Sequence, residues 1–268
     1  MTKIAIITGA SSGIGKQAAL TFQQAGYTVI GGARNIEHDS ELKNSGIVTH
    51  PLDVTDHASN QAFIQYVLTN YHRIDVLVNA AGYGSFGALE EVPLSEARNQ
   101  LEVNLLGIVD LIQLTIPTMR QQKAGKIINI SSLAGQSYSA LAGWYYISKH
   151  ALETMSDVLR LELKPFGIDV VIVEPGITAT NWAQVTNQHL LQVTPENSPY
   201  RQLAEKQAQM ITQATQTAQE VAAVILKAAQ AQRPKIRYQV KFLDKLAMNL
   251  VHFVGYRLQD WSANRMLR

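Results

Sequence analysis

The sequence predicts an α/β fold, a doubly wound parallel sheet of about seven strands with helices on both faces. Three observations carry this reading. Short apolar runs and longer helical patterns alternate six times between residues 4 and 173, the order from which parallel sheets with right-handed crossovers are built. The runs are continuously apolar, as in strands covered on both faces. The first run passes through a glycine-rich turn, TGASSGIG at residues 8–15, straight into a helical pattern. With 268 residues, 46% hydrophobic and 16% charged, and no linker-like stretch, the chain reads as one folded domain over residues 1–268.

The first strand is residues 4–8. Its turn has the spacing G-x-x-x-G-x-G at Gly9, Gly13 and Gly15, a departure from the common G-x-G-x-x-G fingerprint. Such a turn brings the backbone of Gly9, Ser11, Ser12, Gly13, Ile14 and Gly15 up to a pyrophosphate at the positive end of the helix that runs to about residue 25. A second strand, residues 27–33, ends in Gly32-Ala33-Arg34-Asn35. An acid at this point holds a ribose 2′-hydroxyl, whereas an arginine suits a 2′-phosphate. Ala33 offers no carboxylate and Arg34 offers a guanidinium, so the cofactor expected is NADP, NADPH preferred over NADH; an ordinary loop arginine is the other reading.

The third strand, residues 47–52, ends in Asp53-Val54, where a carboxylate and an apolar side chain meet an adenine. A helical pattern over residues 57–72 leads to the fourth strand, residues 74–78, and to Asn79-Ala80-Ala81-Gly82, small residues that permit close backbone approach or simply make a turn. Residues 95–122 read as one long helix with Asn104 embedded among apolar neighbours. A buried amide needs partners, and a satisfied core residue is the plainer reading of it. The fifth strand, residues 126–131, is followed by a broad apolar helix over residues 144–166. Apolar over so wide an arc, that helix is expected to be covered by a second subunit as well as by its own sheet. The sixth strand, residues 168–173, closes with Glu174-Pro175-Gly176-Ile177-Thr178-Ala179-Thr180.

The run from Gly125 to Glu153 joins a strand, two serines and a Tyr-x-x-x-Lys pair. Tyr145 and Lys149 share a helix face. A phenol titrates near 10, and a neighbouring ammonium is expected to lower it, each unit being about 1.4 kcal/mol. Ser132, thirteen positions earlier, sits at the strand end and faces the phenol. In isolation the pair also reads as surface decoration and the serines as a turn.

Ligands of such sheets bind beyond the carboxyl ends of the strands. Residues 181–220, rich in Gln, Asn and Thr with weak periodicity, read as a mobile substrate lid with Trp182 near its hinge, or as a surface insertion. A helix over residues 221–231 and a last strand at 236–240 precede an amphipathic extension, residues 241–268, with Leu243, Leu246, Leu250 and Val254 in register. Contact of this tail, with Arg257, Arg265 and Arg268, with a membrane surface is weighed against packing on the lid or a second subunit, which is preferred. A formal charge of +2 argues against a nucleic-acid partner, and the absence of cysteine excludes disulfides and thiolate chemistry. No stretch reads as a signal peptide or approaches the roughly 18 apolar residues of a membrane span, so the expected compartment is the cytoplasm.

Laid out together, TGASSGIG at Thr8 to Gly15, Asp53, NAAG at Asn79 to Gly82, Asn104, Ser132, Tyr145-x-x-x-Lys149 and PGITAT at Pro175 to Thr180 resemble the short-chain dehydrogenase/reductase family in order and spacing, over residues 8–180. The resemblance implies a Rossmann-type fold and an NADP-dependent oxidoreductase acting on a carbonyl or secondary alcohol. It implies that Ser132 orients the carbonyl, that Tyr145 is the general acid/base, and that Lys149 binds the nicotinamide ribose and lowers the tyrosine pKa. It further implies that Asn104 holds a relay water and that Ile177 and Thr178 lie against the carboxamide. Tyr83, Phe86, Tyr138, Trp144 and Trp182 fall where the family's pocket wall lies, which suits an apolar carbonyl compound, ordinary core being the equal reading. The tail from Arg233 to Arg268 resembles the ends of members that act on lipid-, steroid- or retinoid-like alcohols. A homodimer or homotetramer is expected. The alternative is a non-catalytic NADP-binding sensor; a dehydratase or epimerase that uses a bound cofactor is a further variant.

Overall fold

Buried apolar strands need a helix on each face, and the chain supplies them in turn. The computed structural model describes residues 2–251, 257 and 259–261. Its elements in order are β1 (Ile4–Thr8), α1 (Gly13–Gln24), β2 (Thr28–Ala33), α2 (Ser40–Asn44), β3 (Val48–Pro51), α3 (His57–Tyr71), β4 (Val76–Asn79), α4 (Leu94–Leu101), α5 (Gly107–Gln122), β5 (Gly125–Ile130), α6 (Gly143–Leu163), β6 (Ile168–Glu174), β7 (Thr178–Ala179), α7 (Trp182–Val193), α8 (Arg201–Ile211), β8 (Gln216–Thr217), α9 (Ala218–Gln230), β9 (Arg237–Gln239) and α10 (Phe242–Val251).

Seven strands form one sheet in the order β3-β2-β1-β4-β5-β6-β9, every neighbouring pair parallel. All five residues of β1 are buried. From β1 the chain first winds outward through β2 and β3, then returns to place β4 on the other side, so the carboxyl ends of β1 and β4 flank a switch point, where open α/β sheets bind ligands. On one face α1 and α9 pack over Ile7, Val29, Val78 and Val171; on the other α3, α5 and α6 cover Ile6, Ile30, Leu77 and Ile127.

Local chemistry sets the helix ends. Asp56 accepts from the backbone N–H groups of Ala58 and Ser59 to start α3, and His72 stops it in the left-handed conformation at φ 59°. Thr217 and Glu220 make a reciprocal capping box at the start of α9.

Three expectations change. The long helix is interrupted: Glu102–Leu106 forms a wider π turn between α4 and α5, around Asn104. Residues 181–220 are largely ordered as α7, α8 and the short β8, whose strand pairs with β7. The run Leu94–Gln122 is long and apolar enough to cross a membrane by length and composition; its apolar side chains Ile108, Leu111, Ile112 and Met119 are instead buried against the sheet. The parts of the amphipathic extension at 252–256, 258 and 262–268, with Val254, Arg265 and Arg268, lie outside the described residues.

Candidate active site

A cavity of about 1650 Å³ opens along the carboxyl edge of the sheet. Its floor is the β1–α1 turn. Gly9 has φ +66°, and a Cβ there would come within 2.9 Å of the Ala81 backbone; a Cβ on Gly15 would lie 2.3 Å from the Gly9 carbonyl oxygen. No side chain among the described residues caps the N-terminus of α1, so the donors near Ser11, Ser12, Gly13 and Ile14 face the cavity. The cradle therefore fits the pyrophosphate of a dinucleotide. Thr8 Oγ1 accepts hydrogen bonds from the backbone N–H groups of Ala80 and Ala81, both at 3.0 Å, drawing the β4 loop onto the glycine turn.

Arg34, exposed, stands on the wall where β2 ends, with Asp53 and Val54 beyond it. The Asp53 carboxylate accepts from Thr55 N and Thr55 Oγ1, which fixes its loop. On the far wall are Pro175, Gly176, Ile177, Thr178 and Thr180. Gln216 donates to Thr178 Oγ1 at 3.0 Å, tying β7 to β8, and Thr180 Oγ1 accepts from Trp182 N at the start of α7.

Ser132, Tyr145 and Lys149 meet on the wall between these two halves. Tyr145 packs among Phe86 and Trp182, each with ring centroids 5.6 Å away, and Tyr146 at 6.4 Å. Burial pushes its phenol up to about 12, with the Ser132 hydroxyl, in hydrogen-bonding reach, pulling it back down. Lys149 Nζ donates to the Ile130 carbonyl at 2.9 Å and lies 5.8 Å from the Tyr145 ring centroid. Burial pulls the ammonium down to about 8, opposed by the charge of Glu153. The lowering of the phenol expected from the lysine is not realised here: burial dominates at both groups, and the opposing pull on Tyr145 comes from Ser132.

Two predicted site residues are off the cavity wall. Asn79 is fully buried and donates to Asn129 Oδ1 at 2.9 Å. Asn104 is also fully buried; its amide accepts from Tyr83 N and donates to Tyr83 O and Ser148 Oγ at 2.9–3.1 Å. That engages both amide hydrogens and one of the two acceptor positions of the oxygen, and the side chain lies off the cavity wall. Of the predicted aromatic wall, Tyr83, Phe86, Tyr138 and Trp182 line the cavity and Trp144 does not; Trp261 lines it instead. Trp144 follows the first residue of α6, where the helix turns it away from the face that carries Tyr145 and Lys149.

Residues 3–191 match the short chain dehydrogenase family. The chain belongs to that family of NAD(P)-dependent oxidoreductases. A solved short-chain dehydrogenase from Streptomyces avermitilis is 32% identical, with a TM-score of 0.83 over 98% of this chain and 96% of that one. The 3-ketodihydrosphingosine reductase of Bacteroides thetaiotaomicron is 36% identical over 198 residues, 74% of this chain and 71% of the relative. The NADPH-dependent 3-dehydrocapnine reductase of Ornithobacterium rhinotracheale is 33% identical over 263 residues, 93% of each.

Several residues that support the site in this short-chain dehydrogenase carry no sequence signal of that role. Ser148 is an ordinary polar position until the fold sets it against Asn104, and Thr8, which opens the glycine motif, gains its particular role at Ala80 and Ala81 only from the fold. Met248, Leu250 and Trp261 reach the cavity from the C-terminal segment, and only the apolar period of α10 hinted at a packed role.

Proposed function

We propose that this short-chain dehydrogenase is an NADP(H)-dependent reductase of an apolar ketone, with the secondary alcohol as product. The convergence of Ser132, Tyr145 and Lys149 between the glycine cradle and an apolar chamber carries the reading. A bound nicotinamide supplies the hydride that reaches the carbonyl carbon. Ser132 orients the carbonyl oxygen. Tyr145, whose phenol is held at about 12, is protonated near neutrality and is therefore in the form that donates a proton to the developing alkoxide. Lys149 stabilises the phenolate left behind.

NADP over NAD is supported by Arg34 beside Ala33, by paired guanidinium–phosphate bonding, and by the relative named for NADPH. A lipid-like ketone is supported by a chamber walled by Phe86, Trp182, Val185, Ile211, Met248 and Leu250 and by the two relatives named as reductases. The α7–α8 segment, which carries several of these walls, acts as the substrate lid. Val158 and Leu161 on α6, 49% and 63% exposed, are the surface of a homo-oligomer.

The experiment is NADPH oxidation at 340 nm across a panel of ketones. Tyr145→Phe is expected to lower kcat by about 10² to 10⁴-fold while NADPH binding, read by fluorescence, is retained. A variant with near-normal turnover would remove Tyr145 from the mechanism.

A further inference from the structure

Outside the cavity lining, three carboxylates converge on one guanidinium. Arg237 of β9 places Nε 3.0 Å from Glu153 Oε2 and 3.4 Å from Glu174 Oε1, and Nη2 2.6 Å from Asp157 Oδ2. Glu174 is fully buried and Glu153 nearly so. Both Gln136 and Gln239 donate amide hydrogens to Glu174. Burying acids in such number is costly unless each is held by a partner, and this cluster stands next to the catalytic groups along the chain. Glu153 lies one helical turn beyond Lys149 on the same face of α6. Glu174 precedes Pro175, whose carbonyl accepts from Leu133 N and Ser132 Oγ.

We propose that Glu153 is a positioning residue that acts through Lys149: its buried carboxylate, clamped by Arg237, keeps the Lys149 ammonium charged beside Tyr145. The reasoning starts from what surrounds Lys149. Its hydrogen bond from β5 is to a neutral carbonyl, Ile130 O. Across Gly82 from it stands the neutral amide of Asn104, a Cβ on Gly82 lying 3.2 Å from Asn104 Oδ1 and 3.8 Å from Lys149 Nζ. On its own helix stand Tyr145, protonated, and Glu153. Burial alone favours the neutral amine; the carboxylate of Glu153 is the charge that opposes it. Glu153 in turn is subject to burial and to Asp157, which favour its protonation, and to Ser131 and Arg237, which favour its charge. Glu174, from β6, competes for the same guanidinium. Removal of the Glu153 carboxylate therefore withdraws negative charge from the neighbourhood of Lys149.

The inference rests on Lys149 serving Tyr145, and its test reads Lys149 directly. Protein labelled with 13Cε-lysine is titrated by NMR, the Lys149 resonance being assigned by its loss in Lys149→Arg. A wild-type midpoint of about 8 is expected. In Glu153→Gln the midpoint should fall by a unit or more, a tenfold loss of proton affinity. Glu153→Ala should shift it the same way, and Glu153→Asp, which keeps the charge, should shift it less; these two variants carry the test if Glu153→Gln does not fold. In parallel, the alkaline limb of the NADPH-oxidation rate should move to lower pH by the same margin. An unmoved Lys149 midpoint in a variant that has merely lost thermal stability would assign the cluster to the fold alone and overturn the proposal. A shifted midpoint together with a fully active Tyr145→Phe would instead overturn the catalytic reading and with it the positioning role, leaving only the control of the Lys149 charge by Glu153.

Discussion

Arg34 stands on the cavity wall at the end of β2, and Ala33 beside it offers no carboxylate. A guanidinium gains paired charge-assisted bonds from a 2′-phosphate that a ribose hydroxyl cannot return. Ala33→Asp with Arg34→Ala is accordingly expected to lower the NADPH-to-NADH ratio of kcat/KM by at least about tenfold, or about 1.4 kcal/mol of discrimination. Steady-state kinetics with both cofactors would check it, and an unaltered ratio would remove Arg34 from cofactor choice. At this scale the sequence is legible where a residue's job follows from its type and its neighbours. Gly9 and Gly15 are of that kind, because the close approach of the Ala81 backbone and the Gly9 carbonyl leaves no room for a Cβ. The acidity of Tyr145 is not, because spacing to Lys149 says nothing about how much water the fold strips from both.

Helix α9 starts at Ala218 rather than at residue 221, where the sequence pattern places it, behind a capping box formed by Thr217 and Glu220. Glu220 N donates to Thr217 Oγ1 at 3.2 Å, and Thr217 N donates to Glu220 Oε2 at 2.8 Å, so the cap satisfies donors at both positions. Thr217→Ala should destabilise the protein by about 1 kcal/mol, measured as a shift in the urea midpoint with unchanged slope; no shift would mean that α9 is held by packing alone. The π turn at Glu102–Leu106 was hidden, since one extra residue in a helical turn leaves the apolar pattern almost intact. Its effect is local and large: it accompanies the inward placement of Asn104, whose amide then joins Tyr83 to Ser148 on α6. The α7 and α8 helices were obscured for a different reason. Their sequences are rich in Gln, Asn and Thr, and of their apolar side chains Leu190, Ala204 and Ile211 are the ones buried in a small cluster with Phe86 and Leu141, with Trp182, Ala183, Leu203 and Ala208 only partly buried against it.

The molecule as a whole should report its buried acids through pH. Burial, and then the charge of Glu153, push Glu174 up to about 7 from an ordinary 4.5. Between those values the folded protein holds a proton that the unfolded chain has released, so stability falls as pH rises through this window. The melting temperature is expected to decline from pH 5 to pH 8, and Glu174→Gln, which has no proton to lose, should flatten the slope. Parallel slopes for the two proteins would show that Glu174 does not titrate there.

The order of the strands in the sheet came from the fold, while by itself the sequence determined the α/β class, the glycine turn between the first strand and helix, the succession of six strands along the chain and the Tyr145–Lys149 spacing. These are written in short-range patterns: strand and helix periods, turn residues, and a four-residue helical repeat. Tertiary structure alone decided that Arg237 would meet Glu153, 84 positions away, that Thr8 would hold the loop at Ala80, and that Trp261 would face the cavity in place of Trp144. Those outcomes depend on which distant surfaces are pressed together and how much water leaves with them, and neither quantity is a property of any one stretch of chain.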